Sequence, residues 1–249
     1  MTTLVSVFCR IAPPSAKWLF GLSSVMVHGI ALGQGTGTVA SPVVKPGSSI
    51  SFAAGVAFDD GTEGYAHRVD YRHAVTDNLR VSAIIFHNDS GGDYRYRRLT
   101  LEAMHQFASS KHGWNSAIQV RGRLPDGNDG PGRVRVAWLN RWRPTEATEL
   151  RLIGLASHET GDDSRDGIAL ETRGEATWRM TSDVRTGVQI FNRYNSTAAF
   201  GSFNTQRHAV GGVIKGELTD KLSYRINALT GLSKAAPDFE LRARLRISF

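Results

Sequence analysis

Residues 241–249 read LRARLRISF, with apolar side chains at every odd position and Arg242, Arg244 and Arg246 among the positions between them. Successive side chains of a β-strand point to opposite faces, so this stretch predicts a strand with one apolar and one basic face. Such a strand needs an apolar environment on one side and a polar environment on the other. The rest of the sequence has to supply the sheet to which this strand belongs.

The two-residue period recurs from residue 50 onward, in segments separated by turn residues such as Gly, Asp, Asn and Ser. No convincing helical period lies between these segments, which excludes an α/β fold and leaves an all-β sandwich or barrel. Twelve strands are predicted, over residues 50–58, 65–75, 79–88, 94–107, 113–124, 133–142, 148–158, 168–180, 183–195, 205–218, 221–231 and 238–249.

The connections between the predicted strands alternate in length. Every second one is short, as in VTDNL (75–79), whereas the others are longer and rich in Gly and Asp, as in DDGTEG (59–64), NDSGGD (88–93) and HETGDDSRDG (158–167). Tight turns at one end and long loops at the other are typical of closed, antiparallel up-and-down transmembrane barrels. An even number of strands then returns both ends of the chain to the turn side.

The aromatic residues favour the barrel over the sandwich. Phe107, Trp114, Trp142, Trp178 and Phe249 fall at the turn end of their strands, on the apolar face, and Tyr65, Tyr94, Tyr96 and Tyr194 fall near the loop end. Two aromatic girdles bordering an apolar band are expected where a barrel meets the two lipid–water interfaces. A soluble sandwich would instead turn its apolar face inward, onto its core.

With these features the chain resembles the outer-membrane β-barrels of Gram-negative bacteria, over about 200 residues (residues 50–249). The resemblance implies short periplasmic turns, longer extracellular loops and a location in the cell outer membrane. Barrels of that class typically end on a Phe that their assembly machinery recognises, which implies Phe249 as an assembly signal. The implied partners are outer-membrane lipid, lipopolysaccharide and the barrel-assembly machinery.

The first 49 residues have a different character. Residues 1–33 combine basic residues, an apolar stretch and small residues at the end, which predicts a secretory signal peptide, with a single membrane anchor as the alternative. Residues 34–49, QGTGTVASPVVKPGSS, are aperiodic and predict a flexible periplasmic lead-in. The only cysteine is Cys9, within the predicted leader, so a disulfide framework is not expected.

The excess of basic residues in the chain lies in its predicted strands. There are 30 Lys and Arg against 23 Asp and Glu, for a formal charge of +7, but the arginines recur at period two inside strands, which is not the pattern of a nucleic-acid-binding tail. The polar faces predict a lumen that passes or binds small anionic solutes. A filled barrel with a structural or adhesive role, its Arg and Glu paired across strands, is the alternative. The residues predicted to bind anions are Arg98, Arg121, Arg123, Arg135, Arg173, Arg185, Arg225, Arg242 and Arg244.

A lipid-modifying barrel enzyme is a further alternative. Outer-membrane phospholipases and lipid A deacylases carry a His-x-Ser pair, and this sequence has none; His67, His73, His158 and His208 each lack a serine at that spacing. A catalytic pair assembled from different strands stays open. The loop DGNDG (126–130) fails the calcium-loop pattern, because its fifth ligand position is glycine. We therefore assign no catalytic residue, metal ligand or cofactor.

Overall fold

The computed structural model describes residues 36–60, 62–90, 93–110, 113–125, 131–162 and 164–249. Within this part of the chain, twelve antiparallel strands close into a barrel in which each strand pairs with its sequence neighbours and the last strand pairs with the first. The predicted fold and strand number are confirmed. The strands are β1 Ser48–Asp59, β2 Thr62–Ala74, β3 Leu79–Ser90, β4 Asp93–Ser109, β5 Asn115–Pro125, β6 Gly132–Trp142, β7 Thr148–Thr160, β8 Ala169–Arg179, β9 Val184–Ser196, β10 Arg207–Glu217, β11 Leu222–Gly231 and β12 Phe239–Ser248.

Two loops are shorter than predicted. Strands β1 and β2 remain paired out to Asp59 and Thr62, and β3 and β4 remain paired out to Ser90 and Asp93. Residue 59, residues 62–64, residues 88–90 and residue 93 therefore belong to paired strands instead of long loops. The predicted signal peptide (1–33) and the DGNDG loop (126–130) lie outside the described residues.

The outer wall of the barrel is apolar. The side chains of Phe107, Trp114, Trp142, Trp178 and Phe249 are 43–62% exposed and form the predicted girdle at the turn end. Leu101, Val136 and Ile190, from the middle of three strands, are exposed as well. Exposed apolar side chains at alternate strand positions require lipid, so this wall faces a membrane. Within the described residues, no helix is long and apolar enough to cross a bilayer.

The inner wall is more apolar than the predicted faces indicated. A buried cluster inside the barrel joins Met104, Leu139, Ile153, Phe191 and Leu229, from five different strands. Val39 and Val44 belong to the same cluster and are 1% and 6% exposed. Residues 36–46, which we call the inner segment, run from inside the barrel to its turn end, so these residues do not form the flexible periplasmic lead-in that was predicted. Burial of the two valines on the inner cluster is the physical reason.

Strands β10 and β11 approach each other closely at one point. A Cβ atom added at Gly211 would lie 1.9 Å from the carbonyl oxygen of Ala228, whereas a Cβ at the neighbouring Gly212 would find no described atom nearer than 3.9 Å. The close approach at Gly211 therefore requires a residue without a side chain.

Candidate functional site

All nine arginines predicted to bind anions lie on the inner face of their strands. Six of them have a carboxylate within ion-pair distance: Arg121, Arg135, Arg173, Arg225, Arg242 and Arg244. The other three, Arg98, Arg123 and Arg185, have none among the described residues. The sequence pattern thus predicted the face but not the pairing, which divides the set into two groups.

The largest ion network crosses the interior near the turn end. Glu175 on β8 accepts two hydrogen bonds from Arg225 on β11, at 2.7 and 3.2 Å, and one from Lys215 on β10, at 2.6 Å. Lys215 also reaches Glu149 on β7 at 3.2 Å, and Arg151 bonds the same carboxylate at 2.6 Å. Strands β8 and β11 are not neighbours, so these side chains meet within the lumen. Both carboxylates are 1% exposed or less.

A second network lies on the opposite side of the barrel. Asp70 on β2 is fully buried and contacts Arg68, Arg72 at 3.3 Å and Arg244 at 3.2 Å. On the next strands Glu102 bonds Arg80 at 3.0 Å and Arg121 at 2.6 Å. Each carboxylate here is shared by more than one guanidinium. The carboxylates therefore leave part of the positive charge uncompensated.

Smaller networks lie toward the loop end. Glu171 pairs with Arg173 at 2.7 Å, and Glu240 pairs with Arg242 at 2.5 Å. Glu159 bonds Arg133 and the loop residue Arg165, whose pKa is raised by its hydrogen bonds to this carboxylate. Glu159 was not predicted to face the lumen, because the predicted strand ended at residue 158, whereas β7 continues to Thr160. Its alternation with Ser157 on the inner face was the available signal.

The inner segment is hydrogen-bonded to several arginines of the inner face, including some of those predicted to bind anions. Backbone carbonyl oxygens of consecutive residues accept hydrogen bonds from the barrel wall: Gly37 from Arg242 at 2.8 Å, Thr38 from Arg173 at 3.1 Å and Val39 from Arg151 at 3.2 Å. A carbonyl oxygen is a weaker acceptor than an anionic oxygen. The inner segment thus sits where an anion passing along these arginines would have to bind.

The arginines without a carboxylate partner lie toward the two ends of the lumen. At the loop end, the Arg98 guanidinium lies 3.8 Å from the centre of the Phe86 ring, and Arg123 donates to the Pro131 carbonyl at 2.8 Å. At the turn end, Arg185 donates to the Ala147 carbonyl at 2.6 Å. The positive charges of these three side chains, near the openings of the barrel, are therefore not compensated by a carboxylate of the described residues.

A cavity of about 440 Å³ lies at the turn end, and we call it the vestibule. The inner segment forms part of its wall, together with side chains from several strands and from the turns at 182–183 and 219–221. Among the described residues, thirteen basic and four acidic side chains line it. The vestibule is therefore a strongly positive chamber.

Two of the described histidines, His73 and His208, have polar neighbours from other parts of the chain. The Nδ1 atom of His73 lies 2.9 Å from the Ser48 hydroxyl on the outer wall, yet no carboxylate among the described residues orients this ring. His208 is buried under the β9–β10 loop, stacked on Phe203 and hydrogen-bonded to Asn192. The described residues include no group of three or more His, Cys, Asp or Glu side chains placed to hold a metal ion. His73 and Ser48 form the one His–Ser contact from different strands that these residues show.

The fold has clear counterparts among solved structures. No protein-family model matches the chain, and no curated protein matches its sequence. The KdgM porin superposes with a TM-score of 0.60 at 10% identity, covering 81% of this chain and 99% of that chain. An outer membrane channel from Pseudomonas putida F1 gives 0.64 at 12% (83% and 97% covered), and the NanC porin gives 0.58 at 12% (80% and 98% covered).

Identities this low show likeness of fold alone. The closed barrel and its lipid-facing wall supply the remaining argument, because closed barrels with an apolar outer band are the β-structures that span outer membranes. The chain is a twelve-stranded outer-membrane β-barrel with the fold of porins and channels.

Proposed function

We propose that the barrel is a narrow channel for small anionic solutes. The observation that carries this proposal is the set of inner-face arginines without carboxylate partners near both ends, Arg98 and Arg123 at one and Arg185 at the other. Fixed guanidinium groups at a pore entrance lower the energy of an anion relative to a cation. The KdgM porin, which has a similar fold, has been solved in complex with disordered oligogalacturonate, a polyanion.

The interior limits what can pass. The pairing of Arg225 with Glu175 spans non-neighbouring strands, and the inner segment lies against the wall beside it. These groups narrow the interior, so the proposal is confined to small solutes. The same observations favour the second candidate, a filled barrel without transport, so a direct measurement of conduction has to separate the two.

Planar-bilayer recording of the purified protein tests the proposal. Under a KCl gradient, we expect discrete conductance steps. The reversal potential should be shifted from zero toward the equilibrium potential of chloride. The double variant Arg98→Gln, Arg123→Gln should move the reversal potential toward zero. The matched control is Arg165→Gln, a loop arginine that is 78% exposed and bound to Glu159, and it should leave the reversal potential unchanged. A barrel that inserts without conducting, or one that prefers potassium, would contradict the proposal.

A further inference from the structure

Three arginines line the vestibule where it meets the second ion network. Arg72 on β2, Arg80 on β3 and Arg246 on β12 all line this cavity. Arg246 is paired in register with Ser51 on β1, and the next inner position on that strand, Ser49, is paired with Arg72. The small side chains of Ser49 and Ser51 are thus flanked on the inner face by Arg72 on β2 and Arg246 on β12. We call the three arginines the vestibular cluster.

The carboxylates nearby do not balance this charge. Asp70 is shared by Arg68, Arg72 and Arg244, and Glu102 is shared by Arg80 and Arg121. Arg246 hydrogen-bonds the Ser51 hydroxyl at 3.2 Å and has no carboxylate within ion-pair distance among the described residues. Six guanidinium groups thus face two carboxylates, which leaves an excess of 6 − 2 = 4 positive charges.

Several donors of this region also lack acceptors. The Nε atoms of Arg72, Arg80 and Arg244 are buried and have no hydrogen-bond partner among the described residues. The three side chains are only 14%, 11% and 7% exposed, so bulk water does not readily replace the missing acceptors. Uncompensated charge in a buried site is costly, and an anion bound in the vestibule would offset it.

We propose that the vestibular cluster is a binding site for the phosphate group of a small solute. Guanidinium forks match the oxygens of phosphate, and several arginines around one tetrahedral group use more of its acceptors than they could on a carboxylate. A phosphate dianion also offsets more of the excess charge than a carboxylate does. The vestibule, at about 440 Å³, has room for a small phosphorylated molecule. The site deepens the proposed anion passage by naming a preferred ligand at the turn end.

Equilibrium binding of inorganic phosphate to the purified full-length protein in detergent tests the site. Isothermal titration calorimetry should show saturable binding of phosphate, with acetate binding at least about tenfold more weakly because it offers fewer acceptors. Arg246→Gln should weaken phosphate binding by about tenfold or more, since a charge-assisted contact is lost without breaking an ion pair. Arg246→Lys, which keeps the charge but not the fork, should fall between Arg246→Gln and the unmodified protein.

Arg179→Gln is the matched control, because Arg179 lines the same cavity but is exposed and lies outside the cluster. Its phosphate affinity should stay within about twofold of the unmodified protein. Equal losses in Arg179→Gln and Arg246→Gln would overturn the site in favour of general attraction by the vestibule. Absence of saturable phosphate binding to the unmodified protein, or no preference over acetate, would overturn it whatever the variants do. Because no current is measured, a failure here is distinct from a failure of conduction.

Discussion

Among single residues, Glu175 carries the largest share of the buried ion network. It holds Arg225 and Lys215 through contacts of 2.6–3.2 Å and is fully buried. Glu175→Gln leaves Arg225 without its counter-charge and Lys215 with Glu149 alone, so we expect the free energy of unfolding to fall by about 3 kcal/mol. Tryptophan fluorescence during guanidinium titration measures the change. Glu217→Gln, which removes a carboxylate that is 62% exposed, should have no measurable effect. Similar losses in both variants would refute this role for Glu175.

Gly211 offers a second test at the residue scale. Gly211→Ala places a methyl group within 1.9 Å of the Ala228 carbonyl and forces β10 and β11 apart, at a cost of about 1–3 kcal/mol or more. We expect a lower yield of folded barrel, seen as loss of the compact band in unheated gel samples. Gly212→Ala adds the same methyl group one residue later, where the space is open, and should fold normally. Equal yields from the two variants would show that the close approach does not constrain the strand.

We expect loosening of the inner segment to change the lumen more than loosening of any other described element. Val39→Gly with Val44→Gly deletes the two side chains that anchor it to the inner cluster. We expect a larger and noisier single-channel conductance, because the segment then leaves Arg151, Arg173 and Arg242 free part of the time. Lys45→Arg keeps the charge of an exposed side chain of the same segment and should leave conductance unchanged. An unaltered conductance in the double variant would mean that the segment does not obstruct the path.

The strands were readable from the sequence and the inner segment was not, for a physical reason. A strand between lipid and lumen must alternate, so its period and its turns appear in the residues themselves. The inner segment has no regular partner and no period, and its burial depends on Met104, Leu139 and Phe191, which lie far away in sequence. The ion pairs across the lumen could not be predicted from the sequence for the same reason. Period two places Glu175 and Arg225 on one face but cannot show that β8 and β11 meet across the interior.

For the molecule as a whole, the excess of basic side chains in the lumen predicts a selectivity that depends on salt. Screening shortens the reach of these charges from about 10 Å at 0.1 M salt to about 3 Å at 1 M. At a fixed KCl ratio, we expect the chloride preference to be clear in dilute solutions and to weaken strongly in concentrated ones. Reversal potentials recorded at both concentrations measure this. A preference that stays constant with salt would point to selection by size instead of charge.

The pairing of β1 with β12 has a consequence for how the chain reaches its final state. Ten residue pairs, from Ser49 with Ser248 to Phe58 with Phe239, join the two ends of the sheet. The Ser48 amide donates to the Phe249 carbonyl, and the Phe249 amide donates to the Ser48 carbonyl, each at 2.9 Å. No earlier hairpin can substitute for this junction. A sheet in which β1 and β12 are not paired exposes two edge strands with unpaired amides and carbonyls, and such edges can pair with other chains. Pairing of β12 with β1 therefore removes the two edges at which the sheet could aggregate.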